Sequence, residues 1–183
     1  MAKLVVEVGM PLDKSLIYYH DMLIKHGLNL QFACVTHDLY YTKENLDGLT
    51  ELQMKNACIR LRHLEGVIGV NKRLKDDIGK ISQQEKELIS QGYKKIFDTI
   101  KFDFQYHLDG MTGYIQLQDI KDVGLLLYYD NGHYYELPLD EQRKALFEEL
   151  NSYGFDFKET DLGLDKLRTL YYGKPMFSKN QNA

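Results

Sequence analysis

The stretch His37–Arg62, HDLYYTKENLDGLTELQMKNACIRLR, decides how the chain is read. It closes on Ile59-Arg60-Leu61-Arg62, which alternates apolar and basic residues. On a β-strand alternate side chains share a face, so both guanidiniums point one way while Ile59 and Leu61 pack behind them. Neighbouring cations repel unless water or an anion lies between them. The pair is therefore either a solvated sheet face or a reader of phosphate or carboxylate.

Outward from this stretch, Leu30–Tyr41 reads as extended, and a polar connection containing Asp47-Gly48 leads to a strand over Ala57–Arg62. Upstream, Lys3–Val8 is a β-branched run ended by Gly9 and Pro11. Asp13 is placed to cap a helix whose Leu16, Ile17, Met22, Leu23 and Ile24 recur at helical spacing up to Gly27. Downstream, a strand or hairpin is expected around Val67–Lys72, then a loop. Ser82 and Glu85 have capping-box spacing for a helix ending at Gly92. Ile96–Leu108, Gly113–Leu117 and Val123–Asp130 read as three antiparallel strands, and Asn131-Gly132 as a hairpin turn. Asp140–Tyr153 and Asp161–Tyr172 complete the chain as helices, before a frayed tail, SKNQNA. Many strands with short links and few helices mean α+β with a largely antiparallel sheet.

The chain has 183 residues, most simply one domain over 1–177 with a disordered tail at 178–183. A formal charge of −4 argues against a broad nucleic-acid surface, which needs clustered excess Lys and Arg. Tyrosine and phenylalanine are abundant and tryptophan is absent, which fits a sheet-rich fold. Cys34 and Cys58 lack metal-ligand spacing and read as reduced thiols, with a disulfide between them left open. No apolar run reaches the roughly 18 residues of a membrane helix, and MAKLVVEVGMP turns polar too soon for a signal peptide. A cytoplasmic protein is expected, and a homodimer is compatible with the composition.

Phosphate loops of the G-x-x-x-x-G-K-[ST] type, strand–GxGxxG–helix units and HExxH are absent. His20 and His26 do not share a helix face, and no serine or cysteine has an activating neighbour that the sequence reveals. The basic residues remain. Lys72-Arg73 follows on the next extended segment, and a hairpin back onto Ile59–Arg62 would bring Lys72 to the same face. Forked arginines orient a triphosphate while lysine adds point charge. Glu7, between Val6 and Val8, is either a ligand for Mg²⁺ or a salt-bridge partner for one of the arginines.

In motif and order the chain resembles the CYTH superfamily, the triphosphate-tunnel fold of class IV adenylate cyclases and thiamine triphosphatases. Asp38-Leu39-Tyr40-Tyr41 and Ile59-Arg60-Leu61-Arg62 match its D-x-Y-y-d and L-R-x-R strands. GYIQLQDIKDVGLLLYYD, anchored by Gly124, resembles its later paired strands, and GLDKLRTLYYGK its closing helix. The resemblance implies a closed or nearly closed antiparallel tunnel with peripheral helices. Basic residues, here Arg60, Arg62, Lys72 and Arg73, would bind polyphosphate. Carboxylates, here Glu7 and Asp130, would hold Mg²⁺ or Mn²⁺ if the protein is active.

Departures from the family pattern are many. Val5 and Gly9 replace an acid and a lysine, and Phe102 and Phe104 are assigned to the strand positions that usually carry Lys and Arg. Gln118 stands for an aspartate and Tyr128 for a glutamate, and the Ser-Tyr of the last helix is not visible. The expectation is a protein that binds a triphosphate or other anionic small molecule in a β-tunnel with weak or lost catalysis. One alternative is an active metal-dependent triphosphatase or adenylate cyclase-like enzyme. The other is a non-enzymatic α+β interaction domain.

Overall fold

A computed structural model describes residues 8–68, 78–110, 112–157 and 166–173. In chain order the elements are β1 (Val8–Pro11), α1 (Leu16–Lys25), β2 (Asn29–Thr42), α2 (Glu51–Ala57), β3 (Ile59–Ile68) and α3 (Ile78–Ser90). Then come β4 (Lys94–His107), β5 (Tyr114–Ile120), β6 (Gly124–Asp130), a 3₁₀ turn (Gly132–Tyr134), α4 (Leu139–Ser152) and α5 (Lys166–Tyr172). The strands form one six-stranded sheet in the order β1-β6-β5-β4-β2-β3, and every neighbouring pair is antiparallel. The α+β class is as expected. Closure into a tunnel is not seen: among the described residues nothing pairs β1 with β3, so the sheet keeps two edges.

The two faces of the sheet differ in chemistry. On one, Tyr106, Ile115, Leu117, Leu127 and Tyr129 pack under α1, through Tyr19 and Leu23, and under α4, through Leu146, Phe147 and Leu150. This outer face carries the main core, where each fully buried Leu, Ile or Phe contributes about 1.5–3 kcal/mol. The opposite, inner face is polar. It buries Thr36 and Asp38 from β2, Thr99, Lys101 and Asp103 from β4, and Gln118 from β5. At one end a second cluster of Tyr40, Leu46, Met54 and Leu167 covers it with α2 and α5.

Several local expectations are corrected. β1 does not stop at Gly9 but runs through it to Pro11, paired with β6. Ser15, not Asp13, caps α1: its Oγ accepts from Tyr18 N, while Asp13 accepts from the Tyr19 hydroxyl at 2.7 Å. Gly27 ends that helix as anticipated, with φ +85° and Leu28 N donating to Leu23 O. The connection after Asp47-Gly48 contains α2, which begins at a Thr50–Gln53 capping box. α3 starts at Ile78, so Ser82 lies inside it rather than at its cap.

Asn131-Gly132 makes no hairpin. Asn131 is extended and buried, its Oδ1 taking His133 N and the Thr112 hydroxyl, while its amide reaches Glu149. The turn that joins β5 to β6 is Lys121–Val123, with Asp122 and Gly124 at positive φ. Cys34 and Cys58 are both free thiols. No described helix is long and apolar enough to cross a membrane. The expected residues Lys3–Glu7 of the first strand, the hairpin beyond Ile68, the start of the last helix at 161–165 and the tail at 178–183 lie outside the described residues.

One close approach gives a test of the β5–β6 packing. A Cβ at Gly113 would lie 2.0 Å from the Asp130 carbonyl oxygen, which is backbone and cannot swing away. Gly113→Ala should therefore lower unfolding stability by roughly 2–3 kcal/mol, read as a fall in the urea midpoint at unchanged slope.

Candidate anion-binding site

The inner-face charges are brought together by strand order. β2 lies between β3 and β4, and its register sets Asp38 opposite Arg62 on one side and Thr99 on the other. Thr36 is opposite Lys101, and Cys34 opposite Asp103. Because side chains alternate along each strand, Arg60, Arg62, Asp38, Thr36, Lys101 and Asp103 share one face. Phe102, between Lys101 and Asp103, goes to the other.

Asp38 is fully buried. Arg62 grips it with two hydrogen bonds, Nε to Oδ1 at 2.7 Å and a terminal nitrogen to Oδ2 at 3.0 Å. Burial works to raise the carboxyl pKa. The Arg62 hydrogen bonds and the charges of Lys101, Arg62 and Arg60 outweigh it and hold Asp38 below the ordinary aspartate value.

Lys101 is buried as completely, with Nζ 3.5 Å from Asp38 Oδ2 and 3.7 Å from Asp103 Oδ2. Neither distance is a hydrogen bond, and among the described residues the Lys101 ammonium has no hydrogen-bond acceptor. Asp103 is satisfied elsewhere, by Gln116 Nε2 at 3.0 Å and the Thr36 hydroxyl at 3.3 Å. Burial pulls the Lys101 pKa down, Asp38 and Asp103 offset this in part, and Arg62 and Arg60 add to the depression.

A fourth cation arrives from α5. Leu167 packs with Tyr40, Ile96 and Phe97, so the helix lies on the inner face beside the row that carries Arg60. Lys166, one residue earlier, feels Lys101, Asp38, Arg60 and Arg62, and burial together with the Lys101 charge pushes its pKa down to about 8. Among the described residues, four basic groups (Arg60, Arg62, Lys101 and Lys166) thus interact with two carboxylates (Asp38 and Asp103), an excess of two positive charges.

At 3.5 Å the gross Lys101–Asp38 attraction is about 5 kcal/mol for an effective dielectric near 20. Desolvating each ion costs several kcal/mol, so the pair adds little to folding. A buried ammonium with unmet donors in a cationic field is suited to an added anion.

Of the residues singled out by sequence, Arg60 and Arg62 stand on this face. Arg62 is held by Asp38, while Arg60 is exposed and stands opposite Tyr40 across the β2–β3 pair. Asp130 is on the same face by register, but in the row of Tyr114 and His107, eight residues along β4 from Thr99 or roughly 26 Å of strand. There it accepts from the Tyr135 hydroxyl at 2.6 Å. Glu7, Lys72 and Arg73 lie outside the described residues. Tyr128 faces inward against Gly9, where an added Cβ would meet its ring at 2.9 Å. Among the described residues, no three His, Cys, Asp or Glu side chains converge as metal ligands.

Phe102 and Phe104 require a correction. Phe102 is 44% exposed and Phe104 packs against the outer core, so neither occupies the inner face. Lys101 and Asp103 take those inward positions, and the assignment was off by one residue, which on a strand exchanges the faces. The signal was present in Lys101-Phe102-Asp103-Phe104, where charge and aromatic alternate and the aromatics belong with the apolar core.

The fold is known elsewhere. One solved structure, a protein from Pyrococcus horikoshii, superposes with a TM-score of 0.57 at 15% identity, over 86% of this chain and 93% of that one. A "putative adenylate cyclase" from Vibrio parahaemolyticus gives 0.55 at 13% identity, over 84% and 90%. A conserved hypothetical protein from Pyrococcus furiosus gives 0.56 at 14%, over 85% and 94%. The chain shares their fold. No protein-family model and no curated protein matches the sequence.

Three predictions follow from the charge geometry. Asp38→Ala leaves Arg62 and fully buried Lys101 without their shared carboxylate and should cost about 3–5 kcal/mol in chemical denaturation. Lys101→Met should cost less, since Arg62 keeps its grip on Asp38 while Gln116 and Thr36 still donate to Asp103. The third concerns pH. The folded pKa of Lys166 is depressed to about 8, so the unfolded chain holds its proton more tightly. Stability should rise with pH from about 8 to about 10.4, and the difference between wild type and Lys166→Met should isolate that slope.

Proposed function

We propose that the inner face binds a small polyanion, with a polyphosphate as the best-matched class, in the tunnel-like cavity that the resemblance implies. The observation that carries this reading is Lys101, buried beside Asp38 and Asp103 and near three further cations, with no hydrogen-bond acceptor among the described residues. Phosphate oxygens would meet its donors and balance the charge excess. Arg60, exposed at the edge of the same face, supplies a forked donor, and Lys166 closes over it from α5. The likeness to the Vibrio protein agrees with this but speaks to fold alone.

Binding with weak or lost turnover remains the favoured form. Asp38 and Asp103 are engaged by Arg62, Lys101, Gln116 and Thr36, and Asp130 by Tyr135. The described carboxylates therefore do not form a site fitted to a resident metal. A triphosphatase or cyclase is the second reading. It is favoured by one specific observation: Lys101, rather than an aromatic, faces inward on β4.

Titration calorimetry with inorganic tripolyphosphate at low salt tests the proposal. Wild type should bind, and saturation at 100 times Kd should raise the melting temperature by roughly 5–10 °C. Lys101→Met and Arg60→Ala should each weaken binding by about tenfold or more, the size of one charge-assisted hydrogen bond. Affinity should fall as salt is added. Absence of both heat and thermal shift at millimolar ligand would sink the proposal. Phosphate release on adding Mg²⁺ or Mn²⁺ with a panel of organic triphosphates would establish the enzymatic reading instead.

A further inference from the structure

α5 is described over Lys166–Tyr172. Its first turn is held from outside the inner face. The two carboxylate oxygens of Glu51 accept from Leu167 N and Arg168 N, each at 3.0 Å. Glu51 lies in the first turn of α2, so one carboxylate joins that helix to α5. At the other end of α5, Tyr172 Oη accepts from Gly48 N at 3.0 Å and Tyr171 Oη donates to Asp47 Oδ1 at 3.2 Å. All four bonds run to residues 47–51, the connection between the two arginine-facing strands.

Apolar contacts set the depth of the helix. Leu167 is buried with Tyr40, Leu46 and Met54, and Thr169 is fully buried. The segment thus has an apolar anchor and a polar clasp. Lys166, the residue before clasped Leu167, interacts with Lys101, Asp38, Arg60 and Arg62 of the inner face.

We propose that Glu51 is a positioning residue for the anion site: by clasping the first turn of α5 it sets Lys166 over Asp38, Lys101, Arg60 and Arg62. The inference rests on the anion-binding reading above. Glu51 does not meet the ligand, because its oxygens are occupied by α5 backbone. It acts through where Lys166 is held. Without the clasp, two backbone donors at the start of a short helix lose their acceptor and the first turn frays. Lys166 then moves out to water, where its charge is screened and does little for a ligand on the inner face. A bound polyanion pulls Lys166 in the same direction as the clasp does, so loss of the clasp should appear chiefly as faster release.

Four proteins test this: wild type, Glu51→Gln, Lys166→Met and the double variant, each titrated with tripolyphosphate. Glutamine keeps one acceptor but turns an NH₂ toward a backbone N–H. Glu51→Gln should weaken binding by about three- to tenfold through the off-rate, and Lys166→Met by about tenfold. If Glu51 works through Lys166, the double variant should bind no more weakly than Lys166→Met alone. Multiplying losses would overturn the inference.

A ligand-free readout accompanies the cycle. After ¹³C reductive methylation, the Lys166 resonance, assigned by its loss in Lys166→Met, should titrate near 8 in wild type. In Glu51→Gln it should move toward the ordinary lysine value of about 10.4. An unmoved titration would overturn the clasp. If wild type binds no tripolyphosphate, the anion-binding reading falls, and this titration alone decides whether Glu51 places Lys166. Should Glu51→Gln fail to fold, Glu51→Asp, which withdraws the same carboxylate by one methylene, carries both measurements.

Discussion

The Asp38 carboxylate is the point around which the inner face is organised. A fully buried carboxylate stays ionised only if cations and donors replace the water it has lost. Arg62 does so from β3 with a two-pronged grip, and Lys101 from β4 as a nearby charge. Both can reach it only because β2 runs between those strands. The order β3-β2-β4 is therefore a condition for the charge cluster as well as a description of the sheet. Asp103 extends the cluster along β4, and α5 contributes Lys166 to it.

Stability and charge are divided between the faces. The outer face, where α1 and α4 pack on Tyr106, Ile115, Leu117, Leu127 and Tyr129, supplies the apolar burial. A polar network at its margin ties α4 to β6, with Glu149 accepting from Asn131 and from the Tyr153 hydroxyl. Relieved of that burden, the inner face can keep groups that contribute little to folding. Lys101 is the clearest of them. An apolar residue would be easier to bury there, and the ammonium has no hydrogen-bond acceptor among the described residues. The α2–α5 end joins the two roles, because its small apolar cluster also fixes where Lys166 stands.

Legibility followed pattern length. The long alternating strands β2, β4, β5 and β6 and the amphipathic helices α1 and α4 could be read directly, because period 2 and period 3.6 are strong over seven or more residues. α2 could not: within Glu51–Ala57 the apolar side chains are too few to show a helical period, and only the Thr50–Gln53 capping box marks it. Asn131-Gly132 misled because its turn signal is local. In the fold the Asn131 side chain is drawn into contacts with Thr112 and Glu149 that lie 18 or 19 residues away in the chain. Arg60 and Arg62 were found because apolar neighbours frame them on both sides of the alternation.

The sequence by itself determined that a largely antiparallel α+β sheet would form and that Arg60 and Arg62 would share a face. Hydrophobic alternation is a property of neighbours along the chain. Only the tertiary structure decided which half of Lys101-Phe102-Asp103-Phe104 turned inward, since both parities are sterically possible for an isolated strand. Pairing with β2 and β5, and the apolar demand of α1 and α4 on the outer face, selected one of them. The same holds for Lys166, whose place depends on a clasp to Glu51 that is more than a hundred residues away in the chain. Charge clusters built from four separate segments leave no spacing to read, because the distances that define them exist only after folding.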